Sequence, residues 1–171
     1  MKKYTIKKGN HYCQFAWLSL FRMHWNKNLW SVKFKLDDNC WWSPTRNSDD
    51  YDINKLVGIG FGFNHHKNSW RLGWVPNFIF KNHFKLFAYA YDTNTGQHVS
   101  VDEMGDFISG VIYDCKIESK NNKYYFSCSN IGQAEIDNNL KDSKLEFELN
   151  FYHGGNNTAP NDETALTEII C

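Results

Sequence analysis

Apolar and polar residues alternate one by one along much of this chain. In "LWSVKFKLD" (29–37), Trp30, Val32, Phe34 and Leu36 occupy one side, and Ser31, Lys33 and Lys35 the other. A repeat of two is the mark of a half-buried antiparallel strand. "KLEFELNFY" (144–152) repeats it and predicts Leu145, Phe147, Leu149 and Phe151 facing inward. "FKLFAYAYD" (84–92) carries Phe84, Leu86, Ala88 and Ala90 on one face and Phe87, Tyr89 and Tyr91 on the other. Both faces of that strand need cover, which predicts a central strand whose tyrosine side lines a groove.

Turn chemistry separates these runs. "DTNTG" (92–96) and "KNNK" (120–123) read as hairpin loops, the second joining "GVIYDCKIES" to "KYYFSCS". "KKGN" (7–10) closes a first short strand, and "HYCQFAWLSLF" (11–21) predicts a second. "DDNCWWSPTRNSDDYD" (37–52) has no period and reads as a long loop. "VDEMGDF" (101–107) is ambiguous and leaves room for one helical turn, and "ETALTEII" (163–170) reads as a final edge strand. No ten-residue amphipathic helix is evident. Eight to eleven short strands predict an all-β fold, an antiparallel two-sheet sandwich of jelly-roll (concanavalin-like) type, as a single domain over 1–171.

Composition agrees. Aromatic residues make up 17% of 171 positions, with seven Trp, nine Tyr and thirteen Phe, which suits pleated, half-buried surfaces. Nineteen basic side chains balance nineteen acidic ones, so the basic footprint of a nucleic-acid binder is missing. No apolar run reaches the ~20 residues that span a bilayer, and no polybasic amphipathic stretch suggests a membrane surface. The opening "MKKYTIKKGNHY" has the lysines of a signal peptide without its apolar core, which predicts a protein that is not exported. Cys13, Cys40, Cys115, Cys128 and Cys171 form no C-x-x-C and read as buried free thiols. Cys115 and Cys128 flank the 120–123 turn, which keeps a cross-strand disulfide open.

The densest chemistry lies in "NHHKNSWRLGW" (64–74). Neighbouring strand residues point to opposite faces, so His65 and His66 do not both ligate one metal on a regular strand. His83, His98 and His153 lack diagnostic ligand spacing, and "NSDDYDIN" lacks the Asp-x-Asp-x-Asp-Gly order of a calcium loop. No metal or cofactor is expected. A histidine base here would need a carboxylate such as Asp52, brought close only by the fold.

Two readings of Arg71 remain. As a latch, its guanidinium stacks on rings and satisfies carbonyls at a loop base. As part of a ligand set, it joins Asn64, His65, His66, Trp74, Tyr89 and Tyr91, aromatic faces and planar polar groups suited to sugars or to another protein. In "CWWSP" (40–44), one tryptophan is expected to fold onto the core. "YHGGNNTAPND" reads as a structural turn. There is no G-x-S-x-G and no phosphate loop.

"YDINKLVGIGFGFNHHKNSWRLGW" (51–74), "KLFAYAYDTNTG" (85–96) and "FYHGGNNTAPND" (151–162) together carry a resemblance. The chain resembles an uncharacterised β-sandwich family of Bacteroidetes and phage with Y-D-I-N-K-L, H-H-x-x-S-x-R-x-G-W and G-G-x-x-x-A-P-x-D blocks. The matching residues are Tyr51 to Leu56, His65, His66, Ser69, Arg71, Gly73, Trp74, Gly154, Gly155, Ala159, Pro160 and Asp162. Asn161 and His153 depart from it, standing where the family has His and an aromatic. The resemblance implies no activity.

The expectation drawn from all this is a non-enzymatic binding or structural module. Its setting would be a phage virion, head- or tail-associated, or else the cytoplasm. It would contact glycan or other protein subunits, its own copies included, without catalytic residues. The alternative is a glycan-active enzyme, a glycoside hydrolase or lyase, with a carboxylate or histidine site in an aromatic groove.

Overall fold

The computed structural model describes residues 1–14, 16, 22–44, 51–62, 68–91, 98–137 and 144–170. Among these, twelve strands form two antiparallel sheets of six. Sheet 1 has the order β1 (Lys2–Ile6), β12 (Glu163–Ile170), β3 (Leu29–Leu36), β8 (Tyr113–Lys120), β9 (Lys123–Cys128), β10 (Gly132–Asp137). Sheet 2 has the order β2 (Met23–Trp25), β11 (Leu145–Leu149), β4 (Asn54–Phe61), β5 (Ser69–Pro76), β6 (His83–Tyr91), β7 (His98–Ile108). Chain order and spatial order differ in both sheets, as in a jelly roll.

Alternation does what was expected in β3, where Trp30, Val32, Phe34 and Leu36 are fully or almost fully buried. From sheet 2 they meet Trp70, Leu72, Trp74, Phe84 and Leu86, all without exposed surface. Rings cross the layer at several points: Trp30 lies 5.4 Å from Trp70, and Phe34 lies 5.3 Å from Phe107. A buried tryptophan removes ~150–250 Å² from water, on the order of 4 kcal/mol each before conformational entropy is subtracted. Trp42 closes one end of this core, edge-on to Trp74 at 5.6 Å, while its neighbour Trp41 is half-buried and bonds the Asn77 carbonyl.

Asn121 and Asn122 take φ of 52° and 58°, the two left-handed residues of a tight hairpin, and join β8 to β9. Cys115 sits directly opposite Cys128 across that hairpin, and the two form a disulfide. The free-thiol reading is therefore corrected for this pair and holds for buried Cys13 and Cys40.

Several expectations are corrected by tertiary pairing. Residues 101–107 lie within β7, and β12 is flanked by β1 and β3, so it is not an edge strand. Between 11 and 21 the described residues show only isolated bridges at Tyr12 and Cys13. The 92–96 loop lies outside the described residues.

The sharpest correction is in β11. Glu146, not Phe147, faces the layer between the sheets. It is opposite Phe61, whose ring meets Trp30. Glu146 accepts bonds from the Lys27 amide at 2.6 Å and from the Trp30 indole at 3.1 Å. Glu148 beside it takes Arg22 at 3.2 Å and His24 at 3.1 Å. Burial becomes affordable for these carboxylates because each has partners in place. Phe147 and Leu149 are consequently turned to the outer face of sheet 2.

Candidate functional site

The outer face of sheet 2 gathers groups that the core excludes. Directly opposed residues of antiparallel strands share a face. Arg71 of β5 is opposite Tyr89 of β6 on one side and Gly58 of β4 on the other, and Ser69 is opposite Tyr91. Lys55 of β4 is opposite Gly73. Beyond β4, Tyr152 continues the face, exchanging two backbone hydrogen bonds of 2.9 Å with Lys55.

Local sequence explains how these long side chains fit. A Cβ on Gly58 would stand 2.7 Å from the Arg71 Cγ, so the missing side chain is the space in which Arg71 lies. Gly155 has φ +74° and packs against the Asp52 carboxylate, which a larger residue would strike. Asn54 accepts the Gly154 amide at 2.7 Å and ties the 151–155 segment to the start of β4. The register of β4 slips between Lys55 and Val57, and this bulge re-aims the strand next to the lysine.

The electrostatics are lopsided. Arg71 is 6% exposed, and its Nε has no hydrogen-bond partner among the described residues. Burial pushes its pKa down to about 10, with Tyr91, Tyr89 and Tyr152 pulling the other way. Among the described residues no carboxylate forms an ion pair with it. Lys55 is driven down to about 8, first by burial and then by repulsion from Arg71, with Asp52 opposing. Its ammonium donates to the Ile53 carbonyl at 2.6 Å and lies 5.0 Å from the Tyr89 ring centre. Burial also raises the Tyr89 hydroxyl well above the usual phenol range, and the contact with Tyr91 adds to it. Tyr152 is raised as well, chiefly by burial.

His11 completes the rim. It stacks on Tyr152 at 5.7 Å, and its Nδ1–H donates to the His153 carbonyl at 3.0 Å, which leaves Nε2 as the nitrogen with a lone pair in the neutral ring. Tyr12 meets Tyr152 edge-on at 5.1 Å.

Of the seven residues expected to bind ligand, Arg71, Tyr89 and Tyr91 converge here. Trp74 does not. It is fully buried on the opposite face, stacked with Phe151 and edge-on to Phe84, because it is an odd number of strand positions from Arg71. Asn64, His65 and His66 lie outside the described residues. The sequence reading missed Lys55, Tyr152, His11 and Tyr12. Lys55 did leave a signal: it is a lone charge in an apolar run, "INKLVGIGF". His11, Tyr12 and Tyr152 left none, since residues far apart in sequence meet only in the fold. Among the described residues no cluster of three or more His, Cys, Asp or Glu is placed to hold a metal ion.

No family model matches the chain, and no curated protein does. Solved structures match by fold. An alginate lyase from Klebsiella pneumoniae superposes with a TM-score of 0.56 at 12% identity, over 84% of this chain and 59% of that one. An alginate lyase from Pseudomonas aeruginosa gives 0.54 at 12%, over 85% and 64%. A glycosyl hydrolase family protein from Mycobacterium fortuitum gives 0.53 at 9%, over 86% and 65%. The chain thus spans less than two thirds of the length of each. At these identities the likeness establishes the jelly-roll sandwich. It also corrects the expectation of a non-enzymatic virion module, because the proteins that share the architecture are named for glycan chemistry and favour the alternative reading.

Proposed function

We propose that this chain is glycan-active: it binds an anionic, uronate-containing polysaccharide across the outer face of sheet 2 and cleaves it by β-elimination. The observation that carries the reading is the buried Arg71, a cation with no carboxylate counter-ion among the described residues and with Lys55 beside it. An unpaired buried charge is costly unless a partner arrives. A sugar carboxylate supplies that partner, and a guanidinium receives it through two parallel bonds.

The chemistry follows from the same groups. Neutralising the uronate carboxylate makes the C–H beside it more acidic. A base removes that proton, a double bond forms between C4 and C5, and the C4–O bond breaks with a proton delivered to the leaving oxygen. Arg71 and Lys55 provide the neutralisation. His11, with its Nδ1–H anchored, offers a lone pair, and the Tyr152 and Tyr89 hydroxyls, both raised by burial, stay protonated to donate. Hydrolysis would call for two carboxylates across the scissile bond. Among the described residues the carboxylate beside this cation pair is Asp52, and cations with phenols suit elimination better. Two alginate lyases among the fold matches support the same substrate class. The motif blocks of the family resemblance also meet here, through Asp52, Asn54, Lys55, Arg71, Gly154 and Gly155, which supports reading them as one shared site.

The test is affinity electrophoresis through gels containing polyuronates, neutral glucans or sulfated glycans, run alongside the ultraviolet absorbance of the unsaturated uronyl product. Retardation by polyuronates together with rising absorbance is expected. Retardation without absorbance would remove the elimination step, and no retardation in any polyuronate would remove the reading.

A further inference from the structure

A row of directly opposed residues crosses the outer face of sheet 2 and runs past its hydrogen-bonded strands. Glu103 is directly opposite Phe87, Phe87 opposite Gly73, and Gly73 opposite Lys55. Lys55 is opposite Tyr152, and Tyr152 opposite Tyr12. Opposed residues share a face, so all six belong to one surface. Neighbouring strands lie about 4.8 Å apart, so Tyr12 stands two such gaps, about 10 Å, from the Lys55 strand. One strand gap is close to the length of one pyranose in a 1,4-linked chain. A glycan crossing the strands would therefore place about one sugar over each.

The two tyrosines at the far end differ in a way that assigns them different work. Tyr152 is half-buried, with His11 stacked on it at 5.7 Å and Tyr12 edge-on at 5.1 Å. Its ring is fixed by protein neighbours. Tyr12 is 66% exposed, and its one described ring partner, Tyr152, meets it at an interplanar angle of 65°. In such a contact one ring presents its edge to the other's face, so at least one face of the Tyr12 ring stays open among the described residues. The backbone beneath is held firmly: His153 donates its amide to the His11 carbonyl at 2.9 Å, and Cys13, the next residue, is buried and bridged to Ile6. An open aromatic face on a pinned backbone is a stacking platform whose ordering cost has been met before any ligand arrives.

We propose that Tyr12 is a distal sugar subsite, stacking on the residue about two units along the chain from the uronate held at Lys55 and Arg71. The proposal rests on the anionic-glycan reading and adds a length requirement to it. Sugars that reach only the cation pair leave Tyr12 unused. Longer chains gain its contact.

Calorimetric titration of the full chain with size-defined uronate oligomers, from disaccharide to octasaccharide, tests this. In the wild type, affinity should rise with length and level off once the chain reaches Tyr12. Tyr12→Ala should weaken binding of the hexasaccharide and longer oligomers roughly three- to tenfold and leave the disaccharide unchanged. Tyr12→Phe should bind as the wild type does, because the ring and not the hydroxyl makes the contact. An equal loss at every length, no loss at any length, or a Phe variant as weak as the Ala variant would each overturn the subsite. If wild-type affinity rises with length and Tyr12→Ala follows the same curve, the subsite alone falls. If the wild type binds no oligomer, the anionic-glycan reading falls and takes the subsite with it.

Discussion

Two groups of buried charge in this protein were solved in opposite ways. Between the sheets and at their edge, the carboxylates Glu148 and Glu163 have companions among the described residues. Glu148 holds Arg22 and His24, and Glu163, fully buried, receives the His153 Nδ1–H at 2.9 Å. On the outer face of sheet 2, Arg71 and Lys55 repel each other, and Asp52 offsets Lys55 only in part. A paired charge belongs to the architecture, because removing one partner strands the other. A charge left without its opposite, kept at a cost to stability, is what a site for an external anion looks like from the protein's side.

The largest effect that would break this contrast is on the paired side. Glu163→Ala should cost about 3–5 kcal/mol of folding stability in urea denaturation, since it leaves His153 buried without its acceptor. A loss well under 1 kcal/mol would mean that the pair does not hold the 151–155 segment to β12. Next, Arg71→Ala should cut affinity for polyuronate by at least about tenfold, as loss of a charge-assisted hydrogen-bonded partner does, with stability close to wild type. If its unfolding midpoint instead drops as far as that of Glu163→Ala, Arg71 is a latch and the two groups are alike.

The smallest effect concerns pH. Lys55 is charged in both the folded and unfolded chain below about pH 8, so the cost of burying its charge is fully present there. Above about 8 the folded chain sheds that proton before the unfolded chain does, so Lys55 contributes rising stability up to its ordinary value near 10.5. Polyuronate affinity should move the other way, falling a few-fold as pH passes 8. Lys55→Met should flatten both slopes in parallel titrations. Slopes unchanged in the variant would place the titration on another group.

How much was legible beforehand varied with the reach of the interaction. β3 and the Asn121–Asn122 hairpin were readable because alternation and left-handed asparagines are local facts. β11 misled for the same reason. Its pattern puts Leu145, Phe147 and Leu149 inward, but Lys27, Trp30, Arg22 and His24 supply enough hydrogen bonds to draw Glu146 and Glu148 in. Those donors lie over a hundred residues away in sequence, and no local pattern announces them. Trp74 was misplaced among the ligand residues through parity: it sits three positions from Arg71, and an odd step changes face.

The sequence by itself determined that this chain forms strands, that they pair antiparallel, and that rings fill the space between two layers. Those outcomes follow from side chains that change face at each residue and from turns closed by neighbouring residues. Only the tertiary structure decided which face each strand shows, that Cys115 meets Cys128, and that Lys55, Arg71, Tyr152, His11 and Tyr12 share one surface. The reason is physical: a site of this kind is assembled by register between strands, and register is set by the sum of distant contacts.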